Sequence, residues 1–146
     1  MNEKLLEIHE FQGIGYKPLI DYGSWRVAIL RYIDELIPDR IERVERHNET
    51  DEVFVLLAGR AILFIGEGDP DLTELTPRVL EPGKLYNVKC CTWHNVVLSK
   101  DASILLVENR NTGIENSDYT ALNSHLRRII IETAAREQPD CWGYLL

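Results

Sequence analysis

Two histidines and two glutamates stand at the ends of strand-like segments, and their side chains are those of metal ligands. His47 is preceded by Glu45 and followed by Glu52, and His94 comes much later in the chain. Glu45 and His47 lie two residues apart, so they share one face of a strand. Two imidazoles with carboxylates suit Fe(II), Mn(II), Zn(II) or Ni(II), and a set of two histidines and one carboxylate is a known oxygenase arrangement. The spacing predicts a divalent transition-metal site at His47, Glu52 and His94, with Glu45 either a fourth ligand or a member of a surface ion pair.

The residues next to these candidates indicate where the side chains point. Glu52 and Phe54 share a face, and Thr92 shares a face with His94. If those faces line a small barrel, a histidine or glutamate among them needs a partner, because a buried charge without one is costly. Phe54, Tyr86 and Trp93 are therefore predicted pocket-wall residues. Tyr86 and Trp93 could equally serve as core packing.

The elements that would position these residues are short strands. Segments rich in apolar, β-branched and aromatic residues alternate with turn residues, and Pro77 confines one of them to a sheet edge or a bulge. About eight such strands at regular spacing are typical of an all-β sandwich or barrel. The predicted strands are residues 25–33, 41–47, 52–58, 61–65, 73–80, 84–88, 92–98 and 103–108.

The two ends of the chain have a different character. Glycines and Pro18 interrupt residues 1–24, which we predict to be an N-terminal arm with at most a short strand. Residues 25–110 would form the barrel. Residues 111–146 are predicted to be a polar loop and then an amphipathic helix, with Asn123 or Ser124 as its N-cap and Pro139 beyond its end. The helix would pack on the barrel or on a dimer partner.

The spacing of the candidate ligands resembles the two motifs of a small single-domain cupin. The first cupin motif has two histidines one residue apart, then a glutamate, and then a glycine. Here Glu45 and His47 stand at the histidine pair, followed by Glu52. The second motif resembles residues 82–95, which end in Trp93-His94-Asn95. Two departures are the replacement of the first histidine by Glu45 and the absence of the usual proline and glycine in the second loop.

The cupin resemblance implies a double-stranded β-helix, or jelly-roll barrel, that holds a metal at His47, Glu52 and His94. It also implies a homodimer. The first functional hypothesis is a protein that binds a divalent metal and a small polar metabolite, as a metal-dependent enzyme of dioxygenase, isomerase or lyase type. The second is a non-catalytic module that binds a sugar or organic acid. The third is a metal-free isomerase with a histidine base, since Asp118-Tyr119 resembles a feature of cupin-type sugar-nucleotide isomerases.

Composition excludes several partners. The net charge of −8 argues against nucleic acid and against anionic membrane surfaces, both of which attract Lys and Arg. No apolar run approaches ~20 residues, and the first residues do not resemble a signal peptide, so we expect a cytoplasmic protein. Cys90, Cys91 and Cys141 are expected to be reduced thiols. Because neighbours on a strand point to opposite faces, Cys90 and Cys91 are not expected to share one metal.

Overall fold

Ten strands and one α-helix make up the part of the chain that the computed structural model describes, residues 2–137 and Trp142. In chain order they are β1 (Tyr16–Tyr22), β2 (Trp25–Arg31), β3 (Arg43–His47), β4 (Glu52–Ala58), β5 (Ala61–Glu67), β6 (Glu74–Val79), β7 (Tyr86–Val88), β8 (Trp93–Leu98), β9 (Ser103–Asn109), β10 (Ser117–Ala121) and α1 (Ser124–Arg136). Three short 3-10 helices, Asp34–Leu36, Pro38–Arg40 and Ile114–Asn116, lie between strands.

The strands form two antiparallel sheets of five. The first has the order β1-β2-β9-β4-β7 and the second has the order β10-β3-β8-β5-β6. The chain crosses repeatedly from one sheet to the other, as in a jelly roll. The predicted all-β jelly-roll barrel with a C-terminal helix is confirmed. β6, which contains Pro77, is an edge strand as predicted.

The core between the sheets follows from the alternation of side chains. On β4, Glu52, Phe54 and Leu56 are buried, while the residues between them are only half-buried. On β9, Ile104 and Leu106 alternate in the same way with half-buried neighbours. These inward side chains pack in one apolar cluster between the two sheets. The same alternation points the acidic residue that begins β4 into the barrel.

A second apolar layer covers the outer face of the second sheet. Leu126 and Ile130 of α1 are buried there against Ile62 and Phe64 of β5. The side chain of Asn123 accepts a hydrogen bond from the backbone N–H of Leu126, so the predicted N-cap is confirmed. Pro139, the predicted residue beyond the helix, lies outside the described residues.

Two strands lie in segments that the sequence does not mark as strands. β1 lies within the predicted arm and pairs with β2, and β10 lies at the end of the predicted polar loop and pairs with β3. Within the described residues, no helix is both long and apolar enough to cross a bilayer.

Candidate metal-binding site

Three strands bring the four predicted ligands together at one end of the barrel. His47 is the last residue of β3, Glu52 is the first of β4, and His94 is the second of β8. Glu45 lies directly opposite His94 in the register of β3 and β8. Glu52 is 5% exposed and His94 is 2% exposed, whereas the Glu45 side chain is more than a third exposed. The site therefore has a buried side and an open side, and Glu45 stands on the open side.

The nitrogen and oxygen atoms of these residues converge on a small volume. His94 Nε2 lies 3.0 Å from Glu52 Oε1, and His47 Nε2 lies 3.5 Å from the same oxygen. Glu45 Oε1 lies 3.8 Å from each of the two histidine Nε2 atoms. The two imidazole rings meet edge to face with centroids 5.3 Å apart.

The far nitrogen of each ring has its own partner. His94 Nδ1 lies 3.0 Å from the Thr92 carbonyl oxygen, which can only accept, so Nδ1 carries the proton. In the neutral ring this leaves a lone pair on Nε2, the atom that faces Glu52. His47 Nδ1 lies 2.8 Å from the hydroxyl oxygen of Ser117 on β10. Such outer partners fix ring orientation, as they do for histidines that bind metals.

The charges in the site are strongly coupled. Burial alone would raise the pKa of the Glu52 carboxyl, but hydrogen bonds from His47 and His94 outweigh burial and hold that pKa below its ordinary value. Burial would lower the pKa of both imidazoles, but the hydrogen bond and charge of Glu52 raise both above the ordinary value. Without a metal, the site thus favours an ionised Glu52 beside protonated histidines.

A further acid, Glu108, lies on the inner side of the site. It sits on β9, is 6% exposed, and offers a carboxylate oxygen within 4.8 Å of ligand atoms of His47 and Glu52. Tyr16 of β1 donates a 2.6 Å hydrogen bond to Glu108 Oε1. Burial, and then the neighbouring Glu52, raise the pKa of Glu108 to about 8. Glu108 therefore keeps a proton at neutral pH.

The site opens into a cavity of about 340 Å³. Its polar lining consists of the groups just described together with Asn95 and Thr112, and its other walls are largely apolar. The apolar and aromatic lining residues are Tyr16, Leu30, Leu36, Phe54, Val96, Leu106, Ile114 and Tyr119. A cavity with polar groups at one end and apolar walls elsewhere has the usual character of a small-molecule site.

The three predicted pocket-wall residues have different positions. Phe54 lines the cavity and packs edge to face on His94, with ring centroids 5.9 Å apart. Tyr86 packs at the margin of the barrel core, and its hydroxyl accepts a hydrogen bond from the backbone N–H of Glu81. Trp93 belongs to the layer between the second sheet and α1. Neither Tyr86 nor Trp93 is among the residues that line the cavity.

Asp118 and Tyr119, the pair that suggested an isomerase, also have different surroundings. Asp118 forms an ion pair with Arg46 at 3.0 Å. Tyr119 lies at the cavity rim, where the Arg43 guanidinium stacks 4.3 Å from its ring centroid.

Three residues of the site are not predicted from the sequence: Tyr16, Glu108 and Ser117. A signal existed for Glu108, because it continues the alternation of Ile104 and Leu106 on a predicted strand. Ser117 and Tyr16 lie in segments without a strand pattern.

The comparisons with known proteins agree on the fold. No family model matches the chain, and no curated protein matches it significantly. Solved structures do match, among them Streptomyces PAC13 with uridine, at 13% identity and a TM-score of 0.52 over 78% of this chain and 84% of that one. Hydroquinone 1,2-dioxygenase from Sphingomonas sp. TTNP3, with 4-hydroxybenzoate bound, matches at 10% identity and a TM-score of 0.54 over 69% and 70%.

A cupin-2 domain protein from Shewanella frigidimarina NCIMB 400 also matches, at 18% identity and a TM-score of 0.46 over 73% of this chain and 87% of that one. The chain shares its fold with PAC13 and with the dioxygenase, and the predicted cupin resemblance is confirmed at the level of the fold. Fold similarity alone does not assign an activity, so function must be argued from the site.

Proposed function

We propose that this protein binds a divalent transition metal through His47, Glu52 and His94, with Glu45 as the fourth ligand. The observation that carries the proposal is the convergence of the two histidine Nε2 atoms on one oxygen of Glu52, at 3.0 and 3.5 Å, and on one oxygen of Glu45, at 3.8 Å from each. Two atoms that each lie about 2.1 Å from one ion are roughly 3.0–3.4 Å apart at octahedral or tetrahedral angles. The donors fit an ion after a small inward movement of Glu45.

The hydrogen bonds behind the histidines support the same proposal. The Thr92 carbonyl and the Ser117 hydroxyl hold the Nδ1 sides of the rings, so both Nε2 atoms are presented to the site. A neutral His94 would face ionised Glu52 with a lone pair, which is unfavourable unless a cation lies between them. A metal ion would supply that positive charge. Without a metal ion, protons on the histidine rings would supply it.

We assign the cavity to a small polar molecule that reaches the open, Glu45 side of the site. Its volume of about 340 Å³ is at the lower end of the roughly 300–1,000 Å³ common for small-molecule pockets. The apolar walls exclude water from the bound molecule, and the polar end orients it. Binding in the same cavity without chemistry remains the alternative.

We propose that the site is catalytic. The metal would supply Lewis-acid or oxygen-activating chemistry of the kind used by dioxygenases, isomerases or lyases. Glu108 is fixed by a hydrogen bond from Tyr16 and lines the same cavity, so we assign its carboxyl to proton transfer with the bound molecule. A metal-free reaction with a histidine base is less well supported, since Glu52 raises the pKa of both rings and so favours the protonated form, which cannot accept a proton.

Metal analysis of purified protein tests the proposal. We expect near-stoichiometric transition metal in native protein, its loss in His47→Ala and His94→Ala, and its retention in His125→Ala, a matched control at an exposed position of α1. His94→Gln, with cooperative unfolding as a folding check, separates loss of metal from loss of structure. Protein without metal, whose melting temperature does not rise with Mn(II), Fe(II), Zn(II) or Ni(II), would contradict the proposal.

A further inference from the structure

Two exposed thiols lie side by side in the turn between β7 and β8. Cys90 Sγ and Cys91 Sγ are 3.4 Å apart, and both cysteines are free. The alternation expected of a strand would separate them, but Cys91 has φ of 66° and lies in the left-handed region. This conformation turns the second side chain toward the first. The strand alternation on which the expectation of separated sulfurs rests does not apply in this turn.

The thiol pair rests on the backbone that carries His47. The Cys91 N–H donates a 2.8 Å hydrogen bond to the His47 carbonyl, and the Cys90 thiol donates to the same oxygen at 3.6 Å. The Cys91 thiol approaches the Asn48 carbonyl at 3.9 Å. Any change in the turn is thus transmitted directly to the end of β3.

The turn is also adjacent to the residue whose carbonyl oxygen holds the ring of His94. Thr92 follows Cys91 immediately, and its carbonyl oxygen accepts the hydrogen bond from His94 Nδ1. Asp51, next to Glu52, holds the other side of the turn by accepting a 2.7 Å hydrogen bond from the Cys90 N–H. The thiol pair is therefore coupled by backbone contacts to the segments that position the candidate ligands.

We propose that Cys90 and Cys91 form a redox-modification site for low-molecular-weight disulfides, and that its oxidation alters the histidine site. One thiolate attacks a sulfur of the small disulfide, forming a mixed disulfide and releasing one small thiol. The neighbouring cysteine then attacks the protein-bound sulfur, forms a Cys90–Cys91 bond, and releases the second small thiol. The protein loses two hydrogens, and the small disulfide is reduced to two thiols.

The modification should be readily reversible. Adjacent Cα atoms are about 3.8 Å apart across a trans peptide, closer than the roughly 4.4–6.8 Å usual for disulfides. A bond between neighbouring cysteines is therefore strained and more easily reduced. Formation also requires the turn to move, and that movement acts on the His47 carbonyl and on Thr92.

Glutathione disulfide is the probe for the chemical step. Intact-mass and peptide analysis should show loss of two hydrogens within the peptide that contains residues 90 and 91, reversed by a mild thiol. Cys90→Ser and Cys91→Ser should each stop at the glutathione adduct, whereas Cys141→Ser should behave like the natural protein. Stable adducts without ring closure, or thiols that stay reduced, would overturn the proposal.

The coupling to the histidines has a readout that does not depend on metal. In metal-free protein, oxidation should shift the NMR ring signals of His47 and His94 and leave those of exposed His9 and His125 in place. Unchanged His47 and His94 signals would disprove the coupling. The effect on metal affinity rests on the proposed function: if metal binds, oxidation should weaken it by about tenfold, as loss of a supporting contact does. A failure to bind metal would leave the mass and NMR results intact.

Discussion

Tyr16, on the outermost strand of the first sheet, donates a 2.6 Å hydrogen bond to Glu108 on a central strand of that sheet. The bond crosses β2, which lies between the two strands. It ties a residue of the predicted arm to a buried acid of the candidate site. Because Glu108 also lies beside Glu52, one proton is held where two carboxyl groups meet.

Replacing Glu108 with Gln should change how stability depends on pH. The pKa of folded Glu108, about 8, lies above its ordinary value of 4.5. Between these two values the unfolded chain releases the Glu108 proton and the folded chain keeps it. The carboxyl therefore contributes stability that is present below pH 4.5 and is lost as the pH rises through 8. Gln keeps the neutral form and its hydrogen bonds. We expect Glu108→Gln to be more stable than natural protein at pH 8.5 by roughly 1–3 kcal/mol.

Urea unfolding of metal-free protein at pH 5 and pH 8.5 measures this difference. Tyr16→Phe is the control, because it removes the hydrogen bond to Glu108 and leaves the buried acid. A Glu108→Gln protein that is less stable than natural protein at pH 8.5 would contradict the raised pKa of Glu108 in the folded state.

Metal affinity should fall as the solution becomes more acidic. Metal binds neutral imidazole, so His47 and His94 must release any protons they hold. The pKa of both rings is raised above 6.5 by Glu52, and competition from protons therefore begins at a higher pH than for ordinary histidines. Titration calorimetry with Zn(II) in buffers of different ionisation enthalpy should show proton release that grows as pH falls through the raised pKa. Affinity independent of pH between 6 and 8.5 would contradict this protonation of the site.

Much of the fold and site follows from a side-chain period of two. In sequence β4 is a continuous apolar run after Glu52, which does not show which face is buried, but the period of two places Glu52 and Phe54 on the same face. The same rule places Trp93 on the face opposite His94, and the structure puts Trp93 in the layer beneath α1. The motif that contains Trp93 suggested a pocket wall. Because Trp93 is adjacent to His94 on the strand, however, its side chain points to the opposite face of the sheet.

Residues that depend on long-range pairing were not predictable. β10 has a polar sequence and forms because β3 offers an unpaired edge, so Ser117 reaches His47 without any local strand signal. Tyr16 likewise reaches the site only because β1 pairs with β2. Strand preference depends on such neighbours more than on the sequence of the segment itself.

Dimer formation remains a prediction, and the outer face of the first sheet is where we expect the contact. Val27 and Ile29 of β2, Val55 of β4 and Leu105 of β9 point outward together and are only half-buried. Residues 9–12 of the arm border the same face, and apolar side chains that the arm leaves partly exposed favour association with a second copy. Light scattering should give the mass of a dimer for natural protein and of a monomer for Leu105→Glu.

The matched control for the dimer is Arg128→Glu, a charge change at an exposed position of α1 that should leave the dimer intact. A cooperative unfolding transition in Leu105→Glu confirms that the variant folds. A natural protein that is monomeric at micromolar concentration, or a Leu105→Glu protein that stays dimeric, would exclude this face.

Two glycines with the same backbone conformation should respond differently to alanine. Gly59, in the turn after β4, has φ of 70°, and a Cβ there would lie 2.5 Å from Ala102 Cα. Gly83 has φ of 80°, and a Cβ there would meet nothing within 4 Å. Gly83→Ala thus carries only the left-handed backbone cost of about 1–2 kcal/mol. Gly59→Ala adds a collision with backbone that cannot move without displacing the start of β9, so we expect a loss of roughly 3 kcal/mol or more. Chemical denaturation of both variants measures the difference, and equal losses would mean that the close approach of Gly59 to Ala102 contributes nothing to the barrel.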